Sequence, residues 1–193
     1  MAEFIHSVTL DRDKCLGCTN CIKRCPTSAI RVENGKARIL SARCIDCGEC
    51  IRVCPHHAKI AVCQDLDVLD RFEYTIALPA PSLYAQFNNL EGPEIVVEGL
   101  RMLGFDEVFE VAQAAELVSY ATRKYIKASN SDMPLISSAC PTISRLIRIR
   151  FPDLIENLLP LLTPAELAGK IAREKAMKET GLAADQIGTI FIS

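Results

Sequence analysis

The run Cys15-Leu16-Gly17-Cys18-Thr19-Asn20-Cys21-Ile22-Lys23-Arg24-Cys25-Pro26 recurs as Cys44-Ile45-Asp46-Cys47-Gly48-Glu49-Cys50-Ile51-Arg52-Val53-Cys54-Pro55. Both copies spell C-x2-C-x2-C-x3-C-P, and every cysteine of the second lies 29 residues after its counterpart in the first. Eight of the ten cysteines of the chain fall in these two runs, so the first third of the protein is organised around them. Outward from the runs, residues 6–10 read as a short strand. Residues 29–32 and 36–40 alternate apolar and polar side chains on either side of Asn34-Gly35, a strong hairpin signal. Residues 59–62 mirror the first strand of that hairpin. The order is strand, cysteines, hairpin, cysteines, strand, with an internal pseudo-twofold repeat.

Three closely spaced cysteines suit three corners of an iron–sulfur cube, and the fourth thiolate comes from the far run. The spacing is the established bacterial iron–sulfur run, so the ligand sets follow from recognising a known pattern. Cys15, Cys18, Cys21 and Cys54 are expected to hold one [4Fe–4S] cluster, and Cys25, Cys44, Cys47 and Cys50 the other. Thiolate is a soft ligand that suits such clusters. Zinc sites use pairs of C-x2-4-C and leave the third cysteine of each run unexplained. The proline after each distal cysteine ends the local turn, and Gly17 and Gly48 permit a tight backbone there. Similarity to bacterial ferredoxins implies single-electron transfer at low potential. His56 and His57 read as loop histidines, and Cys63 as a packed thiol rather than a ligand.

The chain has 193 residues, enough for one or two domains, and 49% hydrophobic residues, ample for a core. A formal charge of −2 offers no basic footprint for nucleic acid. Arg145, Arg148 and Arg150 alternate with Leu146, Ile147 and Ile149 and read as the solvated face of an amphipathic helix. No apolar run approaches ~18 residues, so no membrane span is expected. The start Met1-Ala2-Glu3-Phe4 lacks the features of a secretory signal. Many cysteines without such a signal argue for reduced, metal-binding thiols and a cytoplasmic location.

Beyond residue 64 the cysteines thin out and Leu, Ala and Val rise. The expected division is a two-cluster ferredoxin-type domain at 1–64, a linker at 65–71 and an α/β domain at 72–193. Residues 72–78 read as a buried strand ending at Pro79-Ala80-Pro81, with Ser82 placed to cap the next helix. A helix follows Gly92-Pro93 and stops at Gly104. Residues 107–111 read as a strand, and Ala114, Leu117, Val118, Ala121 and Tyr125 recur at helical spacing. Residues 134–138 read as a third strand, running into Ala139-Cys140-Pro141. A helical stretch over 142–159 breaks near Phe151-Pro152. Thr163-Pro164-Ala165-Glu166 is a helix start with a capping box, and residues 187–192 close the chain as a strand. The fold class expected is an α+β ferredoxin-like domain followed by an α/β domain with a parallel sheet flanked by helices.

Several stretches of this second part are similar to motifs of the [FeFe] hydrogenases. Ser137-Ser138-Ala139-Cys140-Pro141 resembles that family's T-S-C-C-P, and Arg145-Leu146 and Pro152-Asp153-Leu154 resemble its R-L pair and P-E-L segment. Gly104-Phe105-Asp106-Glu107-Val108-Phe109 and Ala114-Ala115-Glu116-Leu117 resemble its G-F-D-x-V-F and A-D-L. Ala80-Pro81-Ser82 resembles a loop beside its active site. The resemblance implies that Cys140 is one ligand of the [4Fe–4S] part of the H-cluster and that Ala80 and Pro81 border it. It also exposes two departures. Ala139 stands where catalytic members place a proton-relaying cysteine. Val118-Ser119-Tyr120-Ala121-Thr122 stands where they place T-I-M-E-E, and neither a methyl nor a hydroxyl replaces a carboxylate that shuttles protons. These departures resemble the slow, sensory branch of the family.

The family's later cysteine motifs have no counterpart here, and one thiolate does not hold a cube. The expectation is therefore an N-terminal part of a longer protein, with two clusters of its own and an H-cluster only in the longer parent. Its expected role is electron relay, exchanging electrons with a redox partner such as a ferredoxin or oxidoreductase. The alternatives are a non-catalytic redox-sensing or interaction protein, or a ferredoxin module of an unrelated α/β enzyme. No phosphate loop, nucleotide fingerprint or Ser/His/Asp set is present to specify such an enzyme.

Overall fold

The computed structural model describes residues 6–129 and 134–193. Residues 1–4, on which the reading of the amino terminus rests, lie outside that range. In chain order the first elements are β1 (Val8–Leu10), α1 (Asn20–Arg24), β2 (Ile30–Glu33), β3 (Lys36–Ile39), α2 (Glu49–Arg52) and β4 (Lys59–Ala61). There follow β5 (Tyr74–Pro79), α3 (Pro81–Tyr84), α4 (Glu94–Met102), β6 (Glu107–Val108) and α5 (Val111–Ala128). The last are α6 (Pro141–Arg150), α7 (Pro164–Thr180) and β7 (Ile187–Ile192). The chain divides into two compact units. One joins the residues up to Cys63 with Cys140–Leu158, and the other joins Gln64–Ala139 with Leu159–Ser193. The stretch that starts at Cys140, read from sequence as part of the second domain, thus groups with the first.

In the first unit β1 pairs antiparallel with β4, Val8 opposite Ala61. β2 pairs antiparallel with β3, Ile30 opposite Ile39. Asn34 (φ 49°) and Gly35 (φ 72°) turn that hairpin with two left-handed residues, as Asn-Gly should. Little apolar bulk is available here. The buried cluster is Cys15, Cys21, Ile30, Ala37 and Ala58, with Cys25, Cys50 and Cys54 packed against it. Sulfur takes the place that leucines would hold in an ordinary core. α6 adds the buried Ile147. Arg145 of that helix is not part of a solvated face. Its Nε donates to the Cys44 carbonyl (2.5 Å) and its Nη2 to the Ser41 carbonyl (3.2 Å), while Arg148 and Arg150 stay exposed.

The second unit is built on a three-stranded parallel sheet in the order β6-β5-β7. β5 is central, and Thr75 through Pro79 are all buried, because both faces of a parallel sheet are covered. Ile76 and Leu78 point to one face, against Val111 and Ala114 of α5 and Ala168, Ala172 and Ala176 of α7. The four-residue spacing of those alanines gives α7 a flat stripe for close approach. Ala77 points to the other face, against Val96 and Leu100 of α4 and Phe105.

Residues 134–138 do not form a strand. Ile136 alone makes a bridge, accepting from the Leu159 N–H at 2.9 Å. Serine hydroxyls hold the backbone here instead. The Ser138 hydroxyl donates to the Leu161 carbonyl (2.8 Å), and the Ala139 N–H donates to the Ser137 hydroxyl (3.3 Å). Ser82 does not cap α3. That helix begins on Pro81 after Ala80, with no side-chain cap, and the proline supplies the fixed φ of a first helical residue. Among the described residues no helix is long and apolar enough to cross a membrane.

α7 starts with the full capping box. The Glu166 N–H donates to the Thr163 hydroxyl (3.2 Å), and the Thr163 N–H donates to the Glu166 carboxylate (3.0 Å). The helix stops at Gly181 (φ 75°), whose N–H returns to the Met177 carbonyl. Thr163→Ala should therefore cost about 1 kcal/mol. Thermal unfolding followed by circular dichroism should show Tm lower by about 2–4 °C. An unchanged Tm would mean that the box carries no weight in this helix.

Candidate metal centre

The first unit contains two cavities of equal size, each walled by cysteine thiols. Cys15, Cys18, Cys21 and Cys54 line the first. Cys25, Cys44, Cys47 and Cys50 line the second. Each cavity therefore draws three thiols from one run and one from the other. Among the described residues no three His, Cys, Asp or Glu side chains stand close enough to share a single ion. A mononuclear zinc site needs four ligands within about 2.0–2.3 Å of one point. Four thiols on each cavity are the donor set that iron–sulfur clusters take.

The local backbone explains the placement. Each run wraps its cavity with two left-handed residues: Gly17 and Thr19 in the first, Asp46 and Gly48 in the second. These are equivalent by the 29-residue repeat, so glycine serves one position in each run and a side chain the other. Thr19 (φ 65°) is β-branched and strained there. From sequence only the glycines stand out; the repeat itself was the signal for their partners. α1 and α2 then begin directly on Thr19 and Gly48 and carry Cys21 and Cys50 inward. After each Cys-Pro a further left-handed residue, Ser28 or His57, turns the chain back. The N–H of Ala29 then donates to Cys25 Sγ (3.2 Å) and that of Ala58 to Cys54 Sγ (3.3 Å). Ala37 donates likewise to Cys15 Sγ at 3.4 Å.

Electrostatics separate the thiols. Burial pushes Cys50 up to about 11. Burial also raises Cys21 and Cys44, the latter with added repulsion from the Asp46 carboxylate. Burial presses on Cys15 as well. There the N–H groups of Ala37 and Gly17 and the charges of Lys36 and Lys59 prevail and lower it. Lys59 is the residue that sequence reading missed. It is only 3% exposed, lines the first cavity, and its ammonium has no hydrogen-bond partner among the described residues. An unpaired buried charge is costly, so this orphan calls for an anion in the cavity. Four thiolates round an iron–sulfur cube are such an anion, and the donor set fits the group.

Cys140 is exposed and stands at the amino-terminal end of α6, after Ala139. Ala80 is 5% exposed, and its N–H donates to the Ile192 carbonyl (2.8 Å), which fixes the turn from β5 into Pro81. Those two residues belong to the second unit and Cys140 to the first. Cys63 is exposed rather than packed, because β4 ends at Ala61 and the sheet does not reach it. His56 borders the first cavity and His57 is exposed.

Residues 73–193 match the family model of the iron-only hydrogenase large subunit, C-terminal domain. The chain belongs to that family. Residues 7–55 match a 4Fe–4S dicluster domain. Iron hydrogenase 1 of Clostridium pasteurianum is 27% identical over 98% of this chain and 38% of its own length. The periplasmic [Fe] hydrogenase large subunit of Nitratidesulfovibrio vulgaris is 27% identical over 97% of this chain and 49% of its own. The subunit HndD of the NADP-reducing hydrogenase of Solidesulfovibrio fructosivorans is 24% identical over 82% and 26%. The chain thus spans half or less of the length of these hydrogenase relatives. It is a ferredoxin-type iron–sulfur unit plus a hydrogenase-like α/β unit with a parallel sheet.

The glycines of the two runs give a test of the cavity walls. A Cβ on Gly17 (φ 66°) would lie 2.5 Å from the Gly35 carbonyl oxygen, whereas one on Gly48 (φ 72°) meets nothing within 4 Å. Both changes carry left-handed strain of roughly 1–2 kcal/mol. Gly17→Ala should lose additional stability and retain less iron than Gly48→Ala after reconstitution. Melting curves and iron determination on the two proteins compare them, and equal losses would contradict the close approach.

Proposed function

We propose that the chain is the electron-relay portion of an [FeFe]-hydrogenase-type protein. It would hold two [4Fe–4S] clusters on Cys15, Cys18, Cys21 and Cys54 and on Cys25, Cys44, Cys47 and Cys50. The observation that carries this is the sorting of eight cysteines into two four-thiol cavities, each completed by the distal cysteine of the other run. Cross-ligation of this kind is the pattern of two-cluster ferredoxins. When bound, each cluster would carry one electron at a time. The protein's own part is to hold the thiolates, to direct the N–H groups of Ala29, Ala37 and Ala58 at sulfur, and to supply the Lys59 charge. The domain division proposed with it is 1–64, 65–71 and 72–193, with Cys140–Leu158 packed into the first unit.

The reaction of the whole protein would be reversible hydrogen oxidation and proton reduction, a reading supported by relatives that are named hydrogenases. Cys140 would contribute one thiolate to the [4Fe–4S] part of the H-cluster, beside Ala80 and Pro81. Ala139 in place of a proton-relaying cysteine favours the slow, sensory form of that chemistry. A redox partner such as a ferredoxin or an oxidoreductase would exchange electrons with it. The abundance of unpaired thiols favours a reducing compartment, the cytoplasm.

Reconstituted protein should contain about eight irons per chain and show no infrared bands from iron-bound carbon monoxide or cyanide. Clearly more iron together with such bands would overturn the assignment of only two clusters to this chain. Chelation should also unfold the first unit, because ligation energy is folding energy where the core is made of ligands. Circular dichroism before and after chelation should differ. Superimposable spectra would disconnect the metal from the fold.

A further inference from the structure

The two cavities correspond residue for residue through the repeat, and so their differences can be read directly. Position 59 of the first cavity is equivalent to position 30 of the second, and these hold Lys59 and Ile30, buried to 3% and 2%. Position 17 is equivalent to 46, and these hold Gly17 and Asp46. Position 20 is equivalent to 49, and these hold Asn20 and Glu49. The first cavity is thus lined by a buried cation and no carboxylate, the second by two carboxylates and no cation.

We infer that Lys59 and Asp46 split the two cluster sites in potential, so that the Cys15–Cys18–Cys21–Cys54 site takes the first electron and the Cys25–Cys44–Cys47–Cys50 site the second. This rests on the two-cluster reading above.

Reduction adds one negative charge to a site that is already anionic. A nearby cation stabilises the added charge and a nearby carboxylate opposes it. The three differences do not weigh equally. Lys59 is buried, and its charge is little screened by salt. It acts on Cys15 and Cys21 of the first site and also reaches Cys50 of the second. Its effect is therefore shared, but the larger part falls on the cavity it lines. Asp46 is half-buried, held by the Ser7 N–H (2.9 Å), with the Cys44 sulfur 3.5 Å from the same oxygen. Its charge falls on the second site. Glu49 is tied to Arg52 at 2.7 Å on the surface, and an exposed pair contributes little.

One other difference opposes the split: the Thr27 hydroxyl lies 3.7 Å from Cys25 Sγ in the second site, where the first has His56; the remaining factors cancel or agree. The cavities match in volume. The Ala29 and Ala58 donors are equivalent by the repeat and offset each other in the difference. The Ala37 N–H on Cys15 adds to the first site. Each reduction is a one-electron step, with dithionite as the donor in the titration.

The test is an electrochemical titration of the reconstituted full chain, followed by electron paramagnetic resonance. The contact-shifted cysteine β-protons of the half-reduced protein identify the reduced site. Two steps are expected, separated by at least tenfold in equilibrium constant, about 59 mV for one electron, with the Cys15 site reduced first. Lys59→Met should bring the steps together by lowering the first. Lys59→Arg should keep them apart, and Asp46→Asn should raise the second. Coincident steps in the wild type, or reduction of the Cys44 site first, would overturn the inference even if Lys59→Met fails to assemble. About four irons or fewer per chain would instead sink the two-cluster reading and this one with it. About eight irons with the wrong order would sink this inference alone.

Discussion

The cysteines of the first unit are at once its ligands and its core. Cys15 and Cys21 sit in the buried cluster with Ile30, Ala37 and Ala58, and three further cysteines pack against it. Leu10, Ile22 and Ile39 complete the apolar set packed there, a small one for a unit of this size, so ligation energy is part of its stability. That single constraint explains much of the local geometry. The backbone accepts left-handed conformations at Thr19, Asp46, Ser28 and His57, none of them glycine, because the loops must curl tightly round each cavity. It also explains why a lysine survives with 3% exposure beside four thiols. In an apolar pocket such a charge would be expelled, whereas beside an anionic cluster it is compensated.

The second unit obeys ordinary rules. Its central strand β5 is buried along its length, with Ile76 and Leu78 on one face and Ala77 on the other. α7 comes close because it presents Ala168, Ala172 and Ala176 in a row. Polar ties link elements far apart in the chain. Asp106 accepts from both the N–H and the hydroxyl of Thr75, at 2.7 and 2.9 Å, and so aligns the start of β6 with β5.

Much was readable before the structure. The Asn34-Gly35 hairpin, the Thr163 capping box, the break at Phe151-Pro152 and the terminal strand all rest on local chemistry, and local chemistry is written in adjacent residues. The misses share a different origin. Residues 134–138 have strand-like composition, but Ser137 and Ser138 spend their hydroxyls on nearby backbone groups and leave only a bridge at Ile136. Arg145 looked like one of three solvated arginines, yet its partners are the carbonyls of Ser41 and Cys44, about a hundred residues earlier in the chain. Cys63 looked like a packed thiol, yet β4 stops two positions short of it and leaves it exposed.

The chain's sequence by itself determined the identity of the eight thiols, their division into two repeated runs and the hydrogenase resemblance of the α/β half. Those depend on spacing, and spacing is one-dimensional. Only the tertiary structure decided which thiols face a common space and what else faces it. The repeat makes Ile30 and Lys59 formally equivalent, and in a list of residues a lysine in a short strand reads as a solvated one. Folding carries both side chains inward against different sets of sulfur. Burial then converts a routine difference between two positions into a difference in electrostatic environment, because a charge withdrawn from water is no longer screened by it.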